Sequence, residues 1–297
     1  MATNTPRAVF VTRESDYELL LARHATREQA RFFLETRGQR IALLEDRHRQ
    51  LHDTLRQARL AVPGDWRQAQ VHRPDLDRFL FGPEDVVVPV GQDGLVANVA
   101  KYLTGQPVLG VNPSPDLYDG VLVRLALRQL PELLRASVAG RAPAEHRTMV
   151  EASLDTGERL LALNEVFVGH RSHQSARYTI AAGDAREDHS SSGLIVASGT
   201  GATGWARSIM EATGTHLPLG LDERAVAYFV REPFPSIATR TALRAGKLAG
   251  APLTVTSRMN DGGVIFADGM EQDFLAFDWG RRVSVAPAAN ALHLVNG

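Results

Sequence analysis

Apolar positions follow two different rhythms along the chain. In roughly the first 120 residues, unbroken apolar runs alternate with stretches in which leucine and phenylalanine recur among charges. Residues 8–12 form a β-rich run that predicts a buried strand. Residues 17–37 show helical spacing through Leu20, Leu21, Phe32, Phe33 and Leu34, with Gly38 as a C-cap. Residues 41–44 predict a second strand, followed by a charged helix to Leu60 that Pro63-Gly64 breaks. The clearest unit is a strand over 85–90, a tight turn at Gly91-Gln92-Asp93-Gly94, a helix over 95–103 and another strand over 108–112. Continuous apolar strands joined through a helix are what a parallel sheet buries on both faces.

After a helix expected around 121–134 the rhythm changes. Short β-rich segments fall at 148–154, 160–168, 178–182, 193–198, 225–231, 253–257, 263–267 and 282–285, separated by Gly, Asp, Pro and Ser turns. The expected architecture is an α/β N-terminal domain over residues 1–122 and a mainly antiparallel, β-rich C-terminal domain over 123–297, whose last residues are free to return to the first domain. No internal repeat is visible.

Composition narrows the function classes. Lysine plus arginine number 33 against 34 acids, a net charge of −1, so the basic excess of a nucleic-acid binder is missing and no nucleic-acid partner is expected. A local basic pocket for a nucleotide phosphate is compatible with that total. Cysteine is absent, which excludes disulfides, thiolate zinc sites and a cysteine nucleophile. The first residues show no apolar h-region, and no run approaches the roughly 20 residues that span a bilayer. A soluble, cytoplasmic protein with no membrane partner is therefore expected.

Several motifs bear on chemistry. Glycines at the Gly91–Gly94 turn let backbone N–H groups approach a phosphate at a helix N-terminus, with Asp93 placed to hold a metal ion or take a proton. A plain turn with Asp93 as N-cap accounts for the same residues. Ser198-Gly199-Thr200-Gly201-Ala202-Thr203-Gly204 contains a GxGxxG between a strand and a helix-like 205–212, but the next strand ends late for a Rossmann unit, at Arg231-Glu232, and the surroundings read as antiparallel, so the reading is a Gly/Thr-rich loop lining a polar ligand. Asn164 and Glu165 interrupt an apolar strand; they are either a strand end at a turn or a polar pair with a ligand or partner. His170 and His173 have metal-like spacing but no third ligand nearby, so no metal site is assigned. Asp188-His189-Ser190 is not read as a triad, because no GxSxG elbow is present.

The order of these motifs carries more than any one of them. Gly91-Gln92-Asp93-Gly94 followed by Pro107-Val108-Leu109-Gly110-Val111-Asn112, then Asn164-Glu165, then Gly199 to Trp205, then Asp268-Gly269 and Trp279 to Val285, resembles the NAD kinase family. Tyr17 to His24, Gly110 to Asp116, Ala162 to Gly169, Val230 to Pro233 and Trp205 are similar to its divergent, mitochondrial-type branch. The resemblance implies an NAD kinase/diacylglycerol kinase-like first domain, phosphoryl transfer from ATP with Mg²⁺ to the adenosine-ribose 2′-hydroxyl of NAD, and a homodimer. It implies Asp93 as the catalytic carboxylate and Gly91 and Gly94 on the phosphate side. Asn164, Glu165, Thr200, Gly201, Thr203 and Trp205 would bind NAD. Where the family has GGDGT, this chain reads GQDGL. Gln92 brings a side chain, and strain if its φ is positive, to the phosphate loop; Leu95 removes a hydroxyl, and Ala202 replaces the usual serine. The alternative is thus a catalytically weakened NAD(P)-binding sensor or regulatory protein.

Overall fold

The computed structural model describes residues 5–118 and 120–297; the first four residues, where the leader reading begins, lie outside them. The chain divides into two compact units, residues 1–145 with 293–297, and residues 146–292.

The first unit is an α/β layer structure. It contains β1 (Arg7–Thr12), α1 (Asp16–His24), α2 (Arg27–Glu35), α3 (Ile41–Leu60), β2 (Arg67–His72), β3 (Asp85–Pro89), α4 (Asp93–Ala100), β4 (Pro107–Val108) and α5 (Leu130–Val138). β1 lies between β2 and β3, β4 follows β3, and His293 and Leu294 from the chain end pair with β4; every pairing is parallel. The unbroken apolar strands β1 and β3 are buried along nearly their whole length, as expected for a sheet covered on both faces.

Local chemistry explains where the elements differ from expectation. The helical stretch from 17 onward is two helices. Ala25 takes φ 62° and Thr26 caps α2 through its side chain, while Ser15 and Glu18 form a reciprocal capping box at the start of α1. Residues 41–44 are not a strand. Ile41, Leu44, Leu51, Leu55 and Ala58 fall on one face of α3, and that longer periodicity outweighs the local β-branched start. The sequence reading missed β2, because this polar edge strand is held by its register with β1 and not by apolar residues. The helix expected around 121 begins only at Leu130, after a 3₁₀ turn over Leu127–Gln129. Residues 123–145, which the sequence reading assigned to the second domain, contribute Leu125, Leu130, Leu133 and Leu134 to the first unit's core.

The second unit is built from antiparallel strands. They are β5 (Ala144–Leu154), β6 (Arg159–Ala162), β7 (Glu165–His170), β8 (Ala176–Ala182), β9 (Ala185–Ser191), β10 (Leu194–Ala197), β11 (Val226–Val230), β12 (Ala245–Leu248), β13 (Leu253–Ser257), β14 (Gly263–Ala267), β15 (Phe274–Ala276) and β16 (Arg282–Val295). A single α-helix, α6 (Trp205–Thr213), follows β10. One sheet has the order β12-β11-β10-β7-β14-β15; in the other, β16, β13, β8 and β9 are neighbours and β5 pairs with β6 and β16. Val166, Val196, Tyr228 and Ile265 from the first sheet meet Val150, Ile180, Val255 and Val283 from the second in one core. Residues 160–168 are two strands, β6 and β7, with Leu163 and Asn164 at the break.

Candidate functional site

The break between β6 and β7 is held from below by a single carboxylate. Asp268 accepts hydrogen bonds from the backbone N–H groups of Leu163, Asn164 and Glu165 at 2.8, 2.7 and 3.2 Å. Its own N–H donates to the Glu165 carbonyl at 3.1 Å. Asp268 reaches this position from a left-handed backbone, φ 50°, a conformation that short polar side chains tolerate better than most.

A second residue ties the glycine-rich loop to the same break. Ser198 donates from its hydroxyl to the Leu163 carbonyl and from its backbone N–H to the Asn164 carbonyl. The same hydroxyl accepts the N–H groups of Thr200 and Gly201 at 3.1 and 3.2 Å. Gly201 is required by approach: a Cβ there would lie 2.1 Å from the Asn164 carbonyl oxygen. Gly199 is likewise pressed against Gly220. The loop closes with a 3₁₀ turn over Gly201–Thr203, Thr203 donating its hydroxyl to the Thr200 carbonyl at 2.8 Å.

Two polar groups in this cluster are unusual. The Thr200 hydroxyl is buried and has no hydrogen-bond partner. The Glu165 carboxyl is pushed up to about 7 by burial, with the nearby Asp268 charge adding to the effect. A buried polar group without a protein partner costs on the order of 1–3 kcal/mol and points to a ligand or water. Beside them stands an aromatic ladder. Phe266 stacks on Phe167 at 4.7 Å, and Phe167 lies parallel to Trp205 at 6.3 Å. Gly169 and Gly193 leave room for the Phe167 ring, which any Cβ at either position would strike. Trp205 is 37% exposed, and the Arg231 guanidinium lies 5.2 Å from the centre of its ring.

In the first unit, β3 leads into the Gly91–Gly94 turn. Gln92 is the residue preceding α4, with φ −100° and ψ 166°, an ordinary extended backbone without left-handed strain. The condition on which strain was expected is therefore not met. Asp93 opens α4, but its carboxylate does not cap that helix. It accepts the N–H groups of Val121, Leu122 and Val123 at 2.9, 2.8 and 3.0 Å. Gly110 admits this segment, since a Cβ there would sit 2.2 Å from the Leu122 carbonyl. Leu95 is buried and packs under Gly91, and Gly94 is exposed to open space. Next to the turn lies a cleft whose lining includes Arg13, Ser15, Arg47, Gln92 and Asn112. Arg13 donates to the Gln92 side-chain carbonyl at 3.2 Å.

No family model matches the chain. In sequence it is similar to the NAD kinase of Chlorobaculum tepidum, 29% identical over 127 residues, which are 42% of this chain and 44% of that one. It is also similar to the NAD kinase of Heliobacterium modesticaldum, 35% identical over 147 residues, 46% of this chain and 51% of the other. The chain thus spans about half the length of the curated relatives it matches. In fold it resembles the NAD kinase of Archaeoglobus fulgidus solved in complex with ATP, TM-score 0.57 and 17% identity over 98% of this chain and 93% of that one. The yeast NADH kinase complexed with NADH gives 0.59 and 14% over 99% and 84%. The chain has the fold of these NAD and NADH kinases.

The six residues read as NAD-binding lie within one part of the second unit. Asn164 meets the loop carrying Thr200, Gly201 and Thr203, Glu165 follows Asn164 at the start of β7, and Trp205 opens the helix after the loop. Gly91, Asp93 and Gly94 belong to the first unit. Sequence reasoning missed Asp268 and Ser198 as organisers of the break. Asp268-Gly269 stood among the motifs that carry the resemblance, but which backbone Asp268 would hold, about a hundred residues away, has no local signal. Ser198 stood inside the quoted motif without a role. Among the described residues no helix is long and apolar enough to cross a membrane.

Proposed function

We propose that this chain is an NAD kinase, moving the terminal phosphoryl group of ATP to the 2′-hydroxyl of the adenosine ribose of NAD. The observation that carries the reading is the cluster at the β6–β7 break, where the unpartnered Thr200 hydroxyl and the Glu165 carboxyl share one organised set of loops. Polar groups held this way suit the hydroxyls of a ribose, and the exposed Trp205 ring beside Arg231 suits a flat base. The named ligands of the fold relatives, ATP and NADH, belong to the same chemical class.

Asp93 is proposed as the carboxylate that takes the hydrogen of the attacking hydroxyl. A carboxylate offers about four lone-pair directions; three are filled by backbone N–H groups, which leaves one on Oδ2. That geometry fixes the direction of the remaining acceptor, and phosphoryl transfer depends more on such positioning than on a strong base. The cleft beside Gly91 and Gln92, with Arg13 and Arg47 in its lining, would hold the donor phosphates.

Mg²⁺ fits this arrangement as a companion of those phosphates, whose oxygens and water would supply its ligands, because the one remaining direction of Asp93 faces the attacking hydroxyl. When bound, the ion would neutralise phosphate charge. Cytoplasmic residence and a homodimer belong to the same reading.

The test is NADP formation from NAD, ATP and Mg²⁺ by the purified protein, with Asp93→Asn in parallel and NAD binding followed by calorimetry. Product from the parent, with a loss of about a hundredfold or more in Asp93→Asn at unchanged NAD affinity, is the expected result. NAD binding without product would replace the kinase by a sensor. Absence of both would end the proposal.

A further inference from the structure

The proposed reaction leaves unused a cluster of side chains on α1 and α3. Glu18 lies in the first turn of α1, and His48 and His52 are one turn apart on α3, so both imidazoles project from the same helical face. One ligating atom from each of the three lies within 4.8 Å of the others. The separations are informative. His52 Nε2 is 3.4 Å from Glu18 Oε1, and His48 Nδ1 is 3.8 Å from Glu18 Oε2. Both exceed the 2.7–3.2 Å typical of a hydrogen bond. The His52–Oε1 separation is close to the roughly 3.3 Å between two atoms that bind one tetrahedral zinc at about 2.0–2.1 Å, and His48 approaches the other oxygen of the same carboxylate.

We propose that Glu18, His48 and His52 form a site for a divalent transition metal of the zinc class, with a water or an external ligand in the fourth position. Two imidazoles and one carboxylate are a donor set such ions favour, and three protein ligands leave the open position common in their non-structural sites. Support around the site is already in place. The Ser15 N–H and hydroxyl donate to Glu18 Oε2 at 2.7 and 2.9 Å, fixing the carboxylate and leaving Oε1 directed toward His52. Ser15 Oγ also lies 2.8 Å from His48 Nδ1, a contact that the metal would replace or turn to the ring's other nitrogen. Ser15 and Asp16 at the start of α1, and Leu44, Arg47 and Leu51 from α3, line the cleft beside Gly91. A metal held by both helices would therefore pin two walls of that cleft together.

The experiment uses the full chain stripped with EDTA and then titrated with Zn²⁺ by calorimetry, and with Co²⁺ by visible absorption. One equivalent is expected, with the intense bands of four-coordinate cobalt and a rise in melting temperature of about 3 °C or more. His52→Gln and Glu18→Gln, both partly exposed and expected to fold, should each weaken binding by about tenfold or more and lose the cobalt bands. His173→Gln should bind like the parent. No uptake of either ion, or uptake and cobalt bands unchanged in both variants, would overturn the proposal. Neither result touches the kinase reading, because NADP formation is not the readout.

Discussion

Asp93 and Asp268 use the same device in different units. Each carboxylate gathers three consecutive backbone N–H groups from a segment far away in sequence. Their settings differ. Asp93 extends from a regular helical start and holds residues 121–123, which carry no ligand-like group. Asp268 sits in a left-handed turn and holds Leu163, Asn164 and Glu165, two of which are candidate NAD contacts. Its charge also adds to the effect of burial on the Glu165 carboxyl. A motif aspartate that reads as catalytic is thus also a structural clamp, and an aspartate without a role in the sequence reading organises a candidate site.

Substituting the two clamps separates these roles. Asp268→Ala removes the acceptor for three N–H groups in a well-buried part of the fold and is expected to cost about 3 kcal/mol or more in urea denaturation. NAD affinity should fall with it. Asp93→Ala should cost less, about 2 kcal/mol, because Val121 is exposed and water can replace part of the clamp. Equal losses, or NAD affinity untouched in Asp268→Ala, would break the comparison.

Gly201→Ala tests how tightly the glycine-rich loop is pressed onto the break. The added methyl meets backbone at 2.1 Å and cannot be relieved by a rotamer change. A loss of about 2 kcal/mol is expected, with a weaker NAD complex by calorimetry. Parent-like stability would mean the loop is free to lift away from Asn164.

Glu165→Gln addresses electrostatics. A carboxyl raised from 4.5 to about 7 on folding holds its proton more tightly in the folded chain. Its favourable contribution is complete below about pH 4.5, declines as pH rises and is lost once pH has passed through 7. The decline amounts to at most about 3 kcal/mol. The glutamine variant should lack it, so its melting temperature should exceed the parent's at pH 8 and not at pH 4. Parallel pH profiles for the two proteins would remove Glu165 as the source. The smallest effect is expected from Gln92→Gly. Gln92 already has an extended backbone, so the glycine relieves no strain and removes only the contact with Arg13. NADP formation should change by less than about threefold; a large gain would mean the glutamine side chain blocks the phosphate path.

The chain's periodicity was enough to determine a parallel α/β unit followed by antiparallel strands, because burial on two faces or one leaves its mark on every apolar residue. The order of the Gly91, Asn164 and Gly199 segments was equally legible, since glycines and polar residues inside apolar strands stand out without any partner in view. Polar edge strands such as β2 and β9 were not legible; their stability lies in backbone pairing with a neighbour, to which side chains testify little. The extent of the first unit was hidden for a related reason, since Leu125 to Leu134 look alike whichever core receives them. Only the tertiary structure decided that Asp93 and Asp268 are both clamps, that Ser198 joins the loop to the break, and that Glu18 meets His48 and His52. Each of these depends on side chains meeting groups distant along the chain, and a contact of that kind is a property of the folded chain as a whole.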